Sequence, residues 1–477
     1  MRILLTHPYH LALDPREDAL SKPYPPVGTL QAAAVVQQAG GAVVFYDPMF
    51  SEDETAFAEV LDEHPVDAVF IVADDHSVQI KQCLARIRTA TLTMIRMAAE
   101  KGLPVLVSGP DVSDHPEVFL EAGAIGAVSG EVLAVLPEWL RGATDIDGLH
   151  GERGAGGRRA VLTDLDALPD PAWALCDLVP YARRWRKHHG VWELNIWTAR
   201  GCPYRCNWCA KPIWGRTYHV RSAARVAAEL HELMAQHRPD RIWFTDDIFA
   251  LRPAWLRDLR AALDGKTLPY RCLSRVDLLV DPAYVDDLAA TGCDGVWVGA
   301  ESGSDAVLEA MDKGASVADI VDARHLLAAH GISAGFFLQL GYPGETVEDV
   351  RSTAALIRQL RPEKIGVSVS YPMPGTAFYE HVKGSMGSTN WETSMDNRTL
   401  FEAPYEQAFY AAAKELLRST YSASRRRAVL KIFLKEPSAE HARKVAGAVW
   451  HSLRRPVVAA KMSRLAIENP RAVPRTW

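Results

Sequence analysis

The sequence predicts an α/β protein with a doubly wound parallel-sheet domain, a partial (β/α)6 barrel and a helical C-terminal region. Three observations support this prediction. Strand-like and helix-like patterns alternate over the first 140 residues, they alternate again from residue 191 to about 390, and the strand pattern stops beyond 390. A length of 477 residues is enough for about three structural units.

The first domain is predicted over residues 1–140. Helical patterns, such as the apolar residues at steps of three and four between Ile80 and Ala98, separate short apolar runs that predict strands. This alternation is typical of a doubly wound, Rossmann-like sheet, which binds ligands beyond the carboxyl ends of its strands. The predicted strands are 2–6, 42–46, 67–73, 103–108 and 125–128.

A linker is predicted over residues 141–190, where 141–160 are rich in glycine and charge and read as a connection or a surface hairpin. The barrel follows over residues 191–390. Six strand–helix repeats indicate a partial barrel rather than a closed eight-fold one. The predicted barrel strands are 192–198, 241–245, 270–274, 295–300, 334–340 and 365–371.

Composition excludes several classes of protein. With 48% hydrophobic and 23% charged residues, the chain is neither disordered nor fibrous. Seven cysteines are too few, and odd in number, for a disulfide scaffold. The N-terminus lacks the apolar core and cleavage site of a signal peptide, and no apolar run reaches 18 residues. We therefore expect a cytoplasmic protein without a spanning helix.

The net charge of −6 is unevenly distributed. Residues 411–477 contain 15 Lys and Arg against 4 Asp and Glu, a net charge of +11, which leaves −17 for the rest. Such a basic helical region (391–477) is usually a solvated face, but it also suits an acidic substrate or a membrane surface. Residues 444–467 resemble an interfacial helix, yet Pro456 is expected to break it, which disfavours membrane contact. No nucleic-acid-binding module is present, so no nucleic-acid partner is expected.

Three cysteines form the most informative motif. Cys202, Cys206 and Cys209 stand in GCPYRCNWCA, just after the predicted strand 192–198, with C-x3-C-x2-C spacing. Thiolates select zinc or iron–sulfur clusters, but structural zinc and ferredoxin clusters both require four ligands. Three cysteines on a 4Fe–4S cluster leave one iron open to a further ligand. The remaining cysteines (Cys83, Cys176, Cys272 and Cys293) are predicted to be buried small hydrophobes.

The cysteine loop, with Trp208 before its last cysteine, resembles the radical S-adenosylmethionine (SAM) superfamily. Motifs FTDDIF (244–249), VGAESGS (298–304), GFFLQLGYPGET (335–346) and SYPMPGT (370–376) follow in the order typical of that barrel. In the first domain, KPYPPVGTLQAAAVVQQAG (22–40), VSGPDVSDHPEVFLEAG (107–123) and SGE (129–131) resemble the cobalamin-binding subgroup. That domain contains only Cys83, so it lacks the second cluster site of the methylthiotransferases.

The resemblance implies three cofactors: a 4Fe–4S cluster, SAM and cobalamin. The cluster ligands would be Cys202, Cys206 and Cys209. Implied SAM contacts are Trp208, Asp246 or its neighbour Asp247, Glu301, Ser302, Gln339, Gly341 and Tyr371. Implied cobalamin contacts are Gly28, Ser108, Gly109, Gly130 and the loop around His76 and Ser77, with His76 a candidate cobalt ligand. Ordinary roles stay open for each of these residues, such as packing for Trp208, helix capping for Glu301 and His76, and loop turns for the glycines. No catalytic acid or base is predicted.

The implied reaction is methylation of an unactivated carbon of a small-molecule or peptide substrate. One SAM would methylate cobalamin, and a second would supply a deoxyadenosyl radical that removes a substrate hydrogen. A reductase or a flavodoxin-type donor would provide the electrons. A non-methylating cyclase, oxidase or rearrangement enzyme is the alternative, and a cobalamin- or cluster-binding regulator without turnover is a third hypothesis.

Overall fold

A computed structural model describes residues 1–73, 85–209, 216–388, 390–392, 398–435 and 437–468. The contacts divide the chain into two compact units. The first runs from Met1 to Tyr204 and continues through Cys272. The second contains Arg205–Cys209 and the chain from Leu273 onward, apart from a short segment around residue 391 that groups with the first.

The first unit begins with alternating strands and helices, and all five strands predicted for this part of the chain are present. The elements are β1 (Arg2–Thr6), α1 (Pro15–Leu20), α2 (Val27–Gln38), β2 (Ala42–Phe45), α3 (Ala56–Glu63), β3 (Ala68–Val72), α4 (Ala85–Glu100), β4 (Val105–Ser108), α5 (Pro110–Asp114), α6 (Pro116–Glu121), β5 (Gly126–Val128), α7 (Val132–Leu140), β6 (Ile146–Asp147), β7 (Leu149–Gly151) and β8 (Gly154–Gly156).

The first sheet has the strand order β2-β1-β3-β4-β5-β7. Its first five strands are parallel, and β7, from the segment interpreted as a linker or hairpin, pairs antiparallel with β5. Leu4, Val69, Val105 and Met94 pack in a fully buried core beneath the helices. The strand order reverses between β1 and β3, so their carboxyl ends form the edge where doubly wound sheets bind ligands.

The same unit contains the first three strands of the predicted barrel. Strand β12 pairs parallel with β9 and with β13, and β10 and β11 form a short antiparallel ribbon beside the cysteine loop. The elements are α8 (Val179–His189), β9 (Glu193–Ile196), β10 (Ala199–Arg200), β11 (His219–Val220), α9 (Ala223–Gln236), β12 (Arg241–Phe244), α10 (Pro253–Leu263) and β13 (Tyr270–Ser274).

The second unit contains the other three predicted strands, and β15 pairs parallel with β14 and with β16. Helices α13 and α14 separate β14 from β15, and α15 separates β15 from β16. The elements are α11 (Val276–Leu279), α12 (Pro282–Ala290), β14 (Cys293–Glu301), α13 (Asp305–Ala310), α14 (Val317–Ala329), β15 (Ser333–Leu340), α15 (Val347–Leu360), β16 (Lys364–Val369) and α16 (Ala377–Val382). Single 3-10 turns occur at Leu11–Leu13, Trp173–Leu175 and Lys383–Ser385.

The chain ends in the predicted helices: α17 (Gln407–Ser424), α18 (Arg426–Lys435) and α19 (Ala439–Glu468). The expected break at Pro456 is wrong, because Pro456 lies inside the 30-residue helix α19. In the described part of the chain, no helix is long and apolar enough to cross a membrane.

Candidate functional site

The start of the cysteine loop is fixed by a buried carboxylate. Asp246, at the carboxyl end of β12, accepts the backbone N–H groups of Thr198 (2.6 Å) and Ala199 (2.9 Å) on Oδ1. Its Oδ2 accepts the Thr198 hydroxyl at 2.5 Å. Burial raises the pKa of Asp246 to about 6, against the lowering effect of these hydrogen bonds. Asp246, which the sequence proposed as a cofactor contact, therefore holds the chain that leads into Cys202.

A buried ion pair lies next along the loop. Arg200 Nη1 donates to Glu131 Oε2 at 2.5 Å, and both side chains are almost fully buried. Glu131 follows β5 and also accepts the Leu133 N–H at the start of α7 (3.3 Å). The Arg200 guanidinium stacks on Trp197, 4.6 Å from the ring centroid. The pair thus connects the carboxyl edge of the first sheet to a residue two positions before Cys202.

The second half of the loop is held by Asn207. Its Nδ2 donates to the Ala310 carbonyl (2.8 Å), and its Oδ1 accepts the Tyr342 hydroxyl (2.8 Å). Its backbone N–H donates to Met311, and its carbonyl accepts the Phe378 N–H (3.0 Å). Asn207 lies between Cys206 and Trp208, so these bonds determine where both neighbours lie.

A positive charge faces Cys206. Arg275 Nη1 lies 3.6 Å from Cys206 Sγ, while Nε donates to Asp277 (2.8 Å) and Nη2 to the Lys313 carbonyl (2.9 Å). Arg275 is buried, and its partners hold the guanidinium in place. A guanidinium at this distance would balance part of the negative charge of a metal-bound cysteine.

The three loop cysteines have the chemistry that an iron–sulfur cluster requires. Cys202 is buried, Cys206 and Cys209 are half-buried, and none is in a disulfide. The Cys209 N–H donates to the Cys206 carbonyl (3.2 Å), so these two residues share one turn. Among the described residues, no group of three His, Cys, Asp or Glu side chains has metal-binding geometry. The assignment of a cluster therefore depends on ligand type, spacing and the Arg275 contact.

Glu301 and Trp208 lie on either side of Lys313. Lys313 Nζ donates to Glu301 Oε1 (2.9 Å) and lies 5.8 Å from the centre of the Trp208 ring. Glu301 has a left-handed backbone (φ 57°), an uncommon conformation for a residue with a side chain and one that recurs at functional sites. The buried Trp208 Nε1–H has no hydrogen-bond partner among the described residues. A buried donor without a partner suits a bound ligand that carries a hydrogen-bond acceptor, and SAM is such a ligand.

The other predicted SAM contacts have protein partners of their own. Ser302 is buried, accepts the Ser304 N–H (3.2 Å) and lies 3.3 Å from the Thr353 hydroxyl. Gln339 Oε1 accepts the Ser370 hydroxyl (3.0 Å). The Gly341 N–H donates to Glu345 (2.7 Å), and Tyr371 is half-buried after β16. Their roles in SAM binding stay predictions. The structure shows only the local hydrogen bonds of Ser302, Gln339 and Gly341.

In the first sheet, Ser108 and Gly109 lie at the carboxyl end of β4. The buried Ser108 hydroxyl lacks a hydrogen-bond partner among the described residues, and both residues line a cleft with Pro8 and Ala73. A Cβ on Gly109 would come within 2.6 Å of the Ala73 Cβ. A cleft with an unsatisfied hydroxyl at this edge fits the amide groups of a cobalamin ring.

The remaining cobalamin candidates differ in position. A Cβ on Gly130 would come within 2.3 Å of the Arg159 carbonyl, so packing of the chain itself requires glycine there. Gly28 is buried in the first turn of α2. His76, Ser77 and Cys83 lie outside the described residues. Cys176, Cys272 and Cys293 are buried, as predicted.

Sequence reasoning missed the residues that position the loop. Asn207 and Tyr342 stand inside motifs that were already recognised, so their place beside Cys206 and in GYPGET was an available signal. Arg275 and Lys313 have no motif, and only the fold brings them to the loop. Glu131 stands in the recognised motif SGE, but its pairing with Arg200, 69 residues away, is visible only in the fold.

The model of the radical SAM superfamily matches residues 198–357, which span the three cysteines, Arg275 and Glu301. Residues 198–357 form a radical SAM domain. The barrel elements β12 to β15 thus belong to this radical SAM domain, and the resemblance inferred from the cysteine motif is confirmed.

Curated relatives of the chain include methyltransferases. An uncharacterised methyltransferase of Pyrococcus horikoshii is 27% identical over 395 residues, 78% of this chain and 82% of the relative. Bacteriochlorophyllide d C-12(1)-methyltransferase of Chlorobaculum tepidum is 22% identical over 64% of this chain and 65% of the relative. Anaerobic magnesium-protoporphyrin IX monomethyl ester cyclase of Cereibacter sphaeroides is 22% identical over 47% of this chain, but only 37% of the relative.

The similarity to solved structures extends beyond the radical SAM domain. TsrM of Kitasatospora setae, a radical SAM methyltransferase solved with cobalamin and a 4Fe–4S cluster, has a TM-score of 0.65 at 21% identity, over 80% of this chain and 77% of TsrM. A second TsrM structure contains tryptophan substrate and a SAM analogue. OxsB, solved with aqua-cobalamin and SAM, has a TM-score of 0.72 at 15% identity, over 96% of this chain and 72% of OxsB. The predicted fold, Rossmann-like domain followed by partial barrel, is confirmed.

Proposed function

We propose that this protein is a cobalamin-dependent radical SAM methyltransferase that methylates a carbon atom of a small organic substrate. One observation carries the proposal: a three-cysteine radical SAM domain stands in a chain that shares the fold of two cobalamin-binding radical SAM enzymes, TsrM over 80% and OxsB over 96% of its length. The names of the Pyrococcus and Chlorobaculum relatives support methyl transfer. The tryptophan of TsrM and the tetrapyrroles of the relatives support a small-molecule substrate.

The chain's own residues would hold the cofactors as follows. Cys202, Cys206 and Cys209 would hold the cluster, and Arg275, 3.6 Å from Cys206 Sγ, would balance part of its negative charge. Trp208 would donate its indole N–H to SAM, and Ser108 would donate to cobalamin. When bound, the cluster supplies an electron for the cleavage of SAM, and cobalamin supplies a methyl group.

The contacts around the predicted SAM site also support separate roles for its residues. Lys313 neutralises Glu301 in the protein alone, so an incoming ammonium group of SAM would compete for the same carboxylate. The bonds of Asn207 and Asp246 keep both halves of the cysteine loop in place while ligands exchange. We also propose that an external one-electron donor, such as a flavodoxin, reduces the cluster, and that the protein works in the reducing cytoplasm.

Anaerobic reconstitution tests the proposal. We expect about four iron per chain and a corrin absorbance that stays with the protein through gel filtration. Turnover should release both S-adenosylhomocysteine and 5′-deoxyadenosine, with a methylated product found by mass spectrometry. A Cys206→Ser variant is the control that should retain the fold but lose iron and both products.

A ring-forming reaction without methyl transfer is the second candidate, because a magnesium-protoporphyrin ester cyclase is among the relatives. In that case 5′-deoxyadenosine would appear without S-adenosylhomocysteine. The same product assay therefore distinguishes the two candidates.

A further inference from the structure

The last helix, α19, packs on the second unit through one face only. Ala448, Val458, Met462 and Ala466 are buried on that face. Two hydrogen bonds fix the helix: Ser419 in α17 to His451 Nδ1 (3.1 Å), and Arg351 in α15 to the Ser463 hydroxyl (2.9 Å). Its orientation is therefore set by α15 and α17, and the opposite face is presented outward.

The middle of that outward face is apolar. Val449, Leu453 and Val457 follow one another at four-residue steps, so they lie on one side of the helix. Leu453 and Val457 are 74% and 68% exposed, and Trp450 beside them is 49% exposed. Leu434 on the neighbouring helix α18 is 69% exposed as well. A continuous apolar stripe of this kind on a folded protein marks an interaction surface.

Basic residues border the stripe. Arg443, Arg454 and Lys461 follow one flank of α19 at steps of eleven and seven residues, and Trp450 lies on the same flank. The Arg454 guanidinium lies 4.6 Å from the Trp450 ring. Helix α19 has six Lys and Arg against two Glu. The two glutamates stand near its ends and pair with Lys444 and Arg464 on the same helix.

We propose that the outward face of α19 docks this protein on the surface of a bilayer that contains anionic lipids. The face has apolar side chains bordered by Lys and Arg, with the Trp450 indole between them. Such a face suits the interfacial region of a bilayer, where apolar side chains enter the lipid and Lys and Arg contact the lipid phosphates. The helix lies on the surface rather than across it, because its other face is buried against α17.

A second copy of the chain fits this face less well. A symmetric dimer would set one basic helix against another, and like charges at an interface oppose association. The charge pattern therefore favours an anionic surface as the occupant. The proposal does not depend on the radical SAM chemistry and applies whatever the enzyme methylates.

Vesicle flotation of the full-length reconstituted protein tests the inference. We expect the protein to float with phosphatidylglycerol vesicles at low salt, to float less at high salt, and to stay behind with phosphatidylcholine vesicles. Leu453→Glu/Val457→Glu should reduce flotation about tenfold or more, since two exposed apolar contacts are replaced by charges that anionic lipid repels. Ala318→Glu/Ala328→Glu, at exposed positions of α14, adds the same charge and should float like the natural protein.

Two outcomes would overturn the inference. One is equal flotation of the α19 variant and the natural protein. The other is the absence of binding to anionic vesicles, together with a dimer in light scattering that dissociates in the α19 variant, which would assign the face to a second copy. Each variant should fold, because the substituted side chains are exposed. Circular dichroism and iron content check this for each variant.

Discussion

At the scale of single residues, two residues hold the cysteine loop through hydrogen bonds within the protein. Asn207 has four hydrogen bonds, to Ala310, Met311, Tyr342 and Phe378, and Asp246 accepts three from Thr198 and Ala199. The sequence identified both neighbourhoods but not these functions. Asp246 was predicted as a cofactor contact from its place at a strand end. The structure adds its hydrogen bonds to Thr198 and Ala199, and its contact with SAM stays a prediction.

Replacing Asn207 with alanine should loosen the loop. The change removes the side-chain bonds of Asn207 to the Ala310 carbonyl and the Tyr342 hydroxyl, which keep their bond to each other (2.8 Å). We expect a cost of about 0.5–1.5 kcal/mol for each hydrogen bond lost. We expect faster loss of iron to a chelator under anaerobic conditions. Tyr342→Phe removes one of the same hydrogen bonds and should show a smaller effect. Unchanged iron release in Asn207→Ala would mean that the other contacts suffice.

The raised pKa of Asp246 predicts a pH-dependent contribution to the free energy of unfolding. Its pKa of about 6 in the folded protein is above the ordinary value of 3.8, so between these values the folded state binds more protons than the unfolded state. Stability from this residue therefore rises as pH falls through about 6. Asp246→Asn should abolish that component in thermal unfolding curves while keeping the loop, because its amide can still bond Thr198. Asp246→Ala should be less stable at every pH.

At the scale of secondary-structure elements, the pair of Arg200 and Glu131 joins the start of α7 to β10. Both charges are buried, so the removal of one takes a buried counter-charge away from the other. Within the first unit, the pairing places the edge of the first sheet beside Arg200, two residues before Cys202.

Glu131→Gln should destabilise the protein, by about 3–5 kcal/mol at most, because Arg200 would keep its charge and lose the buried carboxylate of Glu131. Combining it with Arg200→Met should restore much of the loss. Denaturant midpoints of the two single variants and the double variant measure the coupling. Additive losses in the double variant would show that the pair contributes nothing as a pair.

Helix α19 also shows how packing overrides a local signal. Proline inside a helix removes a hydrogen bond and costs about 3 kcal/mol, which is why Pro456 was expected to end the helix. The helix continues because Val458, Met462 and Ala466, beyond the proline, are buried against the rest of the second unit. Burial of these three side chains offsets the local cost.

At the scale of the whole molecule, the cobalamin candidates and the cluster ligands occupy different parts of the chain. We expect the triple variant Cys202→Ser/Cys206→Ser/Cys209→Ser to lose iron yet retain a corrin absorbance after gel filtration, because Ser108 and Gly109 are unaffected. Conversely, Ser108→Ala should weaken corrin retention and leave iron content unchanged. Loss of both cofactors in the triple variant would contradict independent binding.

By itself, the sequence determined the eleven main strands, the α/β class and the cysteine loop. These are local properties: strand and helix periods repeat within a few residues, and C-x3-C-x2-C spacing is a property of eight consecutive positions. Only the tertiary structure decided which residues support the loop. Asn207 and Tyr342 are 135 residues apart, and Thr198 and Asp246 are 48 apart. Such contacts, and the outward face of α19, result from the packing of many elements at once, which no single segment encodes.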